Sequence, residues 1–482
     1  MYRPPIVTIL GHVDHGKTTL LDFIRKSSIT AKEFGGITQK IGAYEVVTEI
    51  KGYPVNKITF IDTPGHEAFS QMRSRGASIA DIVILLIDGK DGIMPQTIES
   101  ISHIKVAKIP FIVAINKIDL EETDPEKIKN TLLKYDVQVE DKGGSVPVAL
   151  ISGKTGEGIN NLLETILLIA SDNKLSFDPI KTPQAYVIET KKDRRGIVLS
   201  MVIKQGVIKK TMTLYGNGHK GKVKSLINDQ GIQLDEVLPS TPFELLGFET
   251  MLEVGTMIST TPEIIEEKVN TQPASDLVFS IDSILDVKIE EKKLLLVIKT
   301  DSQGSLEAIH AALIKNPNVE IILESVGDIH KSDVFLAKTS KAIIIGFNVK
   351  VDPETKMLSK QEKVVIKTYS IIYELLDELN EVADLLQEKE QQEKSLKGEA
   401  KILATFTIEG EKIFGITMTK GKIAISDELE LYRNDNLIAK TKLVSLKVRA
   451  KKIQEVKKDQ EAGMIFSPPL DIRVGDVVKC IL

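Results

Sequence analysis

From Ile6 to Ala170 short apolar runs alternate with stretches of helical spacing: IVTIL, a Gly-rich turn, then ITFID, IVILLID, FIVAIN and VPVALIS. Strands this uniformly apolar, separated by helices, predict a parallel sheet covered on both faces. After the Pro-containing stretch Ser176–Pro183 the pattern shifts to period two with turn signals, as in AYVIET, GIVLSMVI, MTLYGNG and GKVKSLI. That alternation predicts a β-barrel. A polar linker, Thr260–Ser275, leads into KLLLVIKTD, SLEAIHAALIK, VEIILESVG and AIIIGFNV, strands alternating with helices in a second, small α/β domain. Ile372, Leu375, Leu376, Leu379, Val382, Ala383 and Leu386 then recur at helical spacing and predict one long amphipathic helix. The charged run EKEQQEKSLKG, ending at Gly398, carries too little apolar surface for a core and is expected to fray or link. ILATFTI, FGITMT, LELYR and DVVKCIL read as a second barrel. The expected fold class is multidomain α/β plus β. Its parts are an α/β domain over residues 1–172, a β-barrel over 173–265, a small α/β domain over 276–358, a connecting helix over 364–392 and a C-terminal β-barrel over 399–482.

Bulk properties narrow the class. A chain of 482 residues with 42% hydrophobic content can give several domains a core each. Its start, MYRPPIVTIL, lacks the pattern of a secretory leader, and no later stretch is apolar enough to span a bilayer, so neither secretion nor a membrane is expected. Cys480 is the sole cysteine, which rules out intramolecular disulfides and thiolate-rich metal sites and suits a cytoplasmic protein. A formal net charge of −5 excludes a uniformly basic nucleic-acid binder and leaves local patches open.

Three motifs carry chemistry, each at the end of a predicted strand. Gly11-His12-Val13-Asp14-His15-Gly16-Lys17-Thr18, continued by Thr19, follows IVTIL and opens a helix, the context of a phosphate-binding P-loop. There Lys17 places a point charge on the β- and γ-phosphates, and the Thr18 hydroxyl offers a hard oxygen to Mg²⁺. Asp62-Thr63-Pro64-Gly65-His66 follows ITFI; Asp62 is placed to hold Mg²⁺ through a water, and Gly65 lets the backbone approach the γ-phosphate. Asn116, Lys117 and Asp119 end FIVAI, where the Asp119 carboxylate can accept from guanine N1–H and the exocyclic amine. Adenine offers neither donor arrangement, and an unpaired polar group costs about 1–3 kcal/mol, so the pocket is expected to select GTP and GDP. Ser152-Gly153-Lys154, after VPVALI, is expected to offer an amide to guanine O6. His66 stands where such enzymes place the residue that positions the attacking water, which makes it the candidate catalytic side chain. Gly35-Gly36-Ile37-Thr38-Gln39 lies in a non-periodic stretch suited to ordering around a γ-phosphate, with Thr38 the second hydroxyl candidate for Mg²⁺. Taken singly, Asp62 reads as a strand-end cap and Asp119 as a solvated turn residue; the order of the three motifs favours a P-loop GTPase domain.

GHVDHGKT, GGITQKIGAY, DTPGHEAFSQMRSRGA, NKID and SGKTGEGI resemble the translational GTPases, most closely the bacterial-type translation initiation factor two family. RRGIVLSMVIKQGVIKK resembles that family's barrel, IKTDSQGSLEA and GFNV its small α/β domain, and IIYELLDELNEV its connecting helix, so the likeness spans nearly the whole chain. The resemblance implies GTP-dependent binding of formylmethionyl initiator tRNA on the small ribosomal subunit, promotion of joining to the large subunit, and ribosome-stimulated hydrolysis to GDP. It also implies possible contact with other initiation factors and a monomeric state. An elongation-type or selenocysteine-specific translational GTPase is the alternative, distinguished by barrels without an intervening QGSLEA-type domain.

In the family the last barrel holds the aminoacyl end of the tRNA, which points to Lys447, Arg449, Glu461 and Gly463 here. The chain departs from the family where Ala462 stands in place of a cysteine and Val448 in place of an arginine, which excludes thiol contacts at that pocket. Independently of the family, Lys440, Lys442, Lys447, Arg449, Lys451, Lys452, Lys457 and Lys458 crowd one segment with Glu455 the one acid among them. Such a patch is suited to neutralising phosphates.

Overall fold

In the computed structural model the described residues are 1–25, 42–64, 67–262, 293–408, 411–434, 436–448, 451–467 and 472–481. The chain separates into a unit ending at Asn380 and a second over Glu381–Leu482.

The first domain is built on β1 (Ile6–Gly11), α1 (Lys17–Arg25), β2 (Gly42–Val47), β3 (Lys57–Asp62), α2 (Ser70–Ile79), β4 (Ile82–Asp88), α3 (Pro95–Ala107), β5 (Phe111–Asn116), α4 (Pro125–Leu132), β6 (Val148–Leu150) and α5 (Ile159–Asp172). Its sheet has the order β2-β3-β1-β4-β5-β6, parallel throughout except for the edge strand β2. Every residue of β4 is buried because successive side chains enter different cores. Ile82, Ile84 and Leu86 join Leu20, Leu162 and Ile166 of α1 and α5, while Val83, Leu85 and Ile87 join Ala77, Ile101 and Ile128 of α2, α3 and α4. This double cover aligns the carboxyl ends of β1, β3, β4 and β5 along one edge, where the loops carrying the sequence motifs emerge.

The second domain, from Gln184 to Ile258, is antiparallel, with a six-stranded sheet and two two-stranded ribbons around one core of Val187, Leu199, Leu214, Leu226 and Leu245. An ion network fastens it to the first domain. Arg3 grips both oxygens of Asp81 at 2.5 and 2.8 Å, Lys204 of the β domain lies 3.5 Å from Asp81, and the Ser240 hydroxyl donates to the Pro4 carbonyl at 2.6 Å.

The third domain is a parallel sheet of Val319–Val326, Leu294–Thr300, Ile343–Phe347 and Ile366–Tyr369, in that spatial order, with α6 (Gln303–Leu313), α7 (Lys331–Ser340) and α8 (Pro353–Gln361) between its strands. Here the expected boundaries shift. Residues 366–369, read from sequence as part of the connecting helix, pair with Ile344–Phe347, and the α/β domain therefore extends past residue 358. Val364, Val365, Ile366 and Thr368 are β-branched and complete the sheet edge, so the long helix α9 begins at Ile372 and runs to Ser395. The charged run does not interrupt α9: Glu, Gln and Lys are good helix formers, and the next strand starts directly at Leu396.

In the second unit six strands close on themselves in the order Leu396–Ile408, Val477–Ile481, Glu428–Arg433, Asn436–Val448, Glu461–Ser467, Glu411–Ala424 and back to the first. Ile402, Ile416, Leu431, Leu446, Met464 and Val478 fill this barrel.

Glu189, on the strand Gln184–Asp193, marks the meeting of three domains. A register irregularity between Val187 and Glu189 turns its carboxyl inward, where Oε1 accepts from the amides of Gly304 in α6 at 3.2 Å and Thr190 at 2.9 Å. A Cβ on Gly304 would lie 1.8 Å from Met72 Cε of α2 and 2.9 Å from Glu189 Oε2, so any larger residue would have to displace these side chains. Burial pushes the Glu189 carboxyl up to about 7, with the two amides opposing the shift and neighbouring Asp301 adding to it. A folded-state value above the unfolded one means the neutral carboxyl costs nothing below about pH 4.5, and stability is lost as pH rises through 7. Glu189→Gln, always neutral, is expected to gain about 2–3 kcal/mol relative to wild type between pH 5 and pH 8. Urea unfolding at the two pH values measures it, and an equal difference at both would refute the assignment.

Candidate functional site

The loop after β1 is shaped by two glycines. Gly11 has φ +156°, and a Cβ there would stand 2.4 Å from the Leu86 carbonyl oxygen; Gly16 has φ +88°, and a Cβ would stand 2.5 Å from Asn116 Nδ2. With Asp14 also left-handed at φ 62°, the chain curls into a concave turn that runs into the N-terminus of α1. Lys17 Nζ bridges this turn, donating to the carbonyls of Gly11 at 2.9 Å and His12 at 2.6 Å. Burial pushes the ammonium down to about 8, and Asp62 counteracts the shift. A cation so stripped of water gains strongly from an anionic ligand. Val13 N donates to Gln96 of α3 at 2.9 Å. The buried His15 ring has Nδ1 3.3 Å from both the Leu86 carbonyl and the Asp88 amide, and burial pushes it down to about 4, so it is neutral at physiological pH.

Asn116 ties this loop to the next two. Its Nδ2 donates to the His15 carbonyl at 2.8 Å and its Oδ1 accepts from the Gly153 amide at 2.9 Å. Lys117, in the left-handed region at φ 64°, reaches Asp88 at 2.5 Å. Burial would raise Asp88, but the hydrogen bonds from Lys117 and Lys90 outweigh it and hold the carboxyl below its usual range. Asp119 is exposed and accepts from the Ser152 hydroxyl at 2.7 Å, which orients the carboxylate while leaving it lone pairs for a base. Of the three amides read as candidates for guanine O6, that of Ser152 goes to the Glu157 carbonyl and that of Gly153 to Asn116. Lys154 supplies the one without a partner among the described residues.

Asp62 closes β3, and Thr63 is pinned by its hydroxyl to the Ile9 carbonyl at 2.9 Å. Thr18, at the start of α1, and Asp62 are hard oxygen donors, the type Mg²⁺ prefers. No cluster of three or more His, Cys, Asp or Glu among the described residues could hold a metal ion. Any Mg²⁺ here would need phosphate and water for most of its shell, which fits these two donors. Thr38, Gly65 and His66 lie outside the described residues, as does Arg449.

In the final barrel Lys447, Glu461 and Gly463 line one cavity of about 900 Å³ together with Phe406, Val448 and Ala462. The Lys447 and Gly463 backbones pair between adjacent strands of the barrel, and a Cβ on Gly463 would meet Ile413 Cγ2 at 2.9 Å. The lysine-rich segment is less cationic than its sequence suggests. Lys440 pairs with Glu430 at 2.8 Å, Lys442 with Glu428 at 2.9 Å and Lys457 with Glu455 at 3.3 Å. Antiparallel pairing brings Glu428 and Glu430 of the preceding strand opposite Lys442 and Lys440, and Glu455 lies within the run itself, so Lys447, Lys451, Lys452 and Lys458 are its members without an ion pair among the described residues.

Residues 3–172 match the family model for the elongation factor Tu GTP binding domain, 182–261 that for elongation factor G domain 2, and 269–380 that for translation-initiation factor 2. The chain is 40% identical to translation initiation factor IF-2 of Halothermothrix orenii, over 99% of this chain and 71% of that protein. It is 39% identical to its counterpart in a Geobacillus species, over 100% of this chain and 67% of that protein. The chain belongs to the translation initiation factor IF-2 family. It spans about half the length of other relatives in the family, covering 55% of the Syntrophomonas wolfei protein at 39% identity and 47% of a Caulobacter protein at 40%. Among solved structures it is similar to GDP-bound aIF5B from Aeropyrum pernix, at 26% identity and a TM-score of 0.48, over 100% of this chain and 92% of that one.

Several residues that organise the site were not singled out from sequence. Asp88 and Gln96 hold the motif residues in place, and Arg73 of α2 is wholly buried beside the Asp62–Pro64 turn. Their signals are long-range pairings, which spacing does not reveal. The Asp119 geometry gives a direct test. Asp119→Asn replaces one acceptor by a donor, so GDP affinity is expected to fall at least about tenfold. A xanthine nucleotide, which carries a carbonyl where guanine has its amine, should lose less or gain. Competition against a fluorescent GDP analogue measures both, and unchanged preference would exclude Asp119 from the base pocket.

Proposed function

We propose that this chain is a GTP-hydrolysing translation initiation factor: with GTP bound it stabilises formylmethionyl initiator tRNA on the small ribosomal subunit, promotes joining of the large subunit, and hydrolyses GTP when the assembled ribosome completes its site. The observation that carries the nucleotide half is the Asn116 side chain, which joins the P-loop to the loop bearing Ser152 from the start of its own loop, which bears Asp119. One rigid element thereby spaces a phosphate cradle from a base-reading carboxylate. Family membership supports the ribosomal half, and the match of residues 269–380 to translation-initiation factor 2 disfavours the elongation-type or selenocysteine-specific alternative.

In this mechanism Lys17 and the P-loop amides stabilise charge spreading over the γ-phosphate, and His66 holds water in line for attack. Thr18, Thr38 and, through a water, Asp62 would hold Mg²⁺, which when bound neutralises phosphate charge. The final barrel contributes Lys447 and Arg449 to the tRNA backbone and the cavity beside Glu461 and Gly463 to its aminoacyl end. Phe406 and Ala462 give that cavity an apolar wall for a methionine side chain.

Single-turnover phosphate release with and without ribosomes tests the central reading: slow turnover alone and at least about 10³-fold stimulation are expected, by analogy with partners that complete GTPase sites. His66→Ala should remove the stimulation and leave GTP affinity within about twofold; rapid turnover by the isolated wild type would count against the mechanism. Filter binding of initiator tRNA tests the second half. Formylated tRNA is expected to bind better than unformylated, with Lys447→Glu weakening both about tenfold. Equal binding of the two tRNAs would refute amino-acid recognition by this barrel.

A further inference from the structure

Arg73 is the largest fully buried side chain among the described residues. A guanidinium without solvent is costly unless paired and hydrogen-bonded. Nη2 donates to both carboxylate oxygens of Glu99 on α3, at 2.9 and 2.8 Å, and Nη1 donates to the Pro64 carbonyl at 3.3 Å. Glu99 is itself held from a second side, with His103 Nε2 at 3.1 Å and the Ser70 hydroxyl 3.5 Å from that nitrogen. Burial would raise the Glu99 carboxyl, yet His103, Ser70 and Arg73 together hold it down to about 2. The anchor is therefore a fixed anion at all working pH values.

One turn further on, α2 lies directly against the same turn. A Cβ on Gly76 would be 2.9 Å from Thr63 Cγ2 and 3.2 Å from the Thr8 hydroxyl. Thr63 is pinned to β1, and Pro64 is the next residue, the last one before Gly65 and His66. Neither phosphate binding nor base reading needs a cation under this turn. An arginine finger is also excluded, because both arms of the guanidinium are committed inside the protein.

We propose that Arg73 is a positioning residue for GTP hydrolysis: by holding the Pro64 carbonyl from the Glu99 anchor, it sets the direction in which the chain leaves the Asp62–Pro64 turn, two residues in sequence before His66. The inference rests on the hydrolytic reading above. A lysine at 73 keeps the charge for Glu99 but has one compact nitrogen in place of a fork whose two arms reach Glu99 and Pro64 separately, so it does not reproduce that geometry.

The test compares wild type, Arg73→Lys, His66→Ala and the double variant in ribosome-stimulated single turnover, alongside GTP and GDP affinity and melting temperature. Arg73→Lys should lower the hydrolysis rate about 10- to 100-fold, the worth of a charged hydrogen bond, while nucleotide affinities stay within about twofold. The double variant should be no slower than His66→Ala, because both changes act on one step. A purely structural arginine would lower melting temperature and affinity together, or multiply with His66→Ala, and either result overturns the proposal, as does a wild-type rate in Arg73→Lys. If Arg73→Lys does not fold, Glu99→Gln, which keeps the packing and weakens the anchor, should give a smaller loss in the same direction; an unchanged rate there overturns the proposal equally. If wild type shows no ribosomal stimulation, the hydrolytic reading is what fails, and the same four proteins compared in intrinsic turnover decide the role of Arg73.

Discussion

The candidate site depends on one amide side chain. Asn116 is buried at the end of β5, and its two polar atoms are both spent on backbone: a carbonyl in the loop after β1 and an amide in the loop after β6. Because those loops leave β1 and β6, strands of one twice-covered sheet with β4 and β5 between them, the amide crosslinks two rigid ends and has no free partner to lose. Gly16 follows from this constraint, since any Cβ there would collide with Asn116 Nδ2. Lys117 and Asp119 then project from a backbone already fixed, and their distances to Asp88 and Ser152 are set by the sheet spacing. A neutral, buried His15 suits the same design, because a charged imidazolium would face Lys17 in a loop meant for anions.

The local parts of this arrangement were legible in the sequence because they are read within a few residues. A glycine-rich turn between an apolar run and a helix, and an aspartate three residues past a strand-end asparagine, fix their own geometry. Pairings across the chain were not legible. Nothing near Lys440 or Lys442 announces that Glu430 and Glu428 face them across a strand pair, so a run that reads as phosphate-binding is partly self-neutralised. The segment 366–369 was absorbed into the following helix because it sits next to strong helical periodicity; only the open edge of the sheet shows why it extends instead. That the Gly153 amide is already taken by Asn116, 37 positions away, was not legible for a similar reason.

The same distinction separates what each domain contributes. The first domain can be assembled from its own periodicities, but its attachment to the β domain rests on Arg3, Asp81 and Lys204, three charges far apart in sequence. Burying them is favourable only because each is paired, and removing any one would leave a charge with poor solvation. Glu189 shows the complementary solution, a carboxyl at a crowded junction that burial drives toward its neutral form.

Helix α2 is where these constraints meet. On one side Arg73 fastens it to α3 and to the Pro64 carbonyl; on another Arg75 forms an ion pair with Glu307 of α6, and Met72 packs against Gly304 at the start of that helix. Met72 and Arg75, three residues apart, share the face toward α6, and Arg73 points away from it, so the contacts hold the ten-residue helix from two sides and leave it little freedom to rotate. A change at the Asp62–Pro64 turn that moved α2 would therefore have to strip Arg73 from a buried carboxylate, break the Arg75 pair, or carry α6 along. The first leaves an uncompensated buried cation and is the most expensive; the last spares the Arg75 pair and the Met72 contact. Motion of the turn is consequently cheapest when the α/β domain follows it, which follows from the placement of three side chains on one short helix.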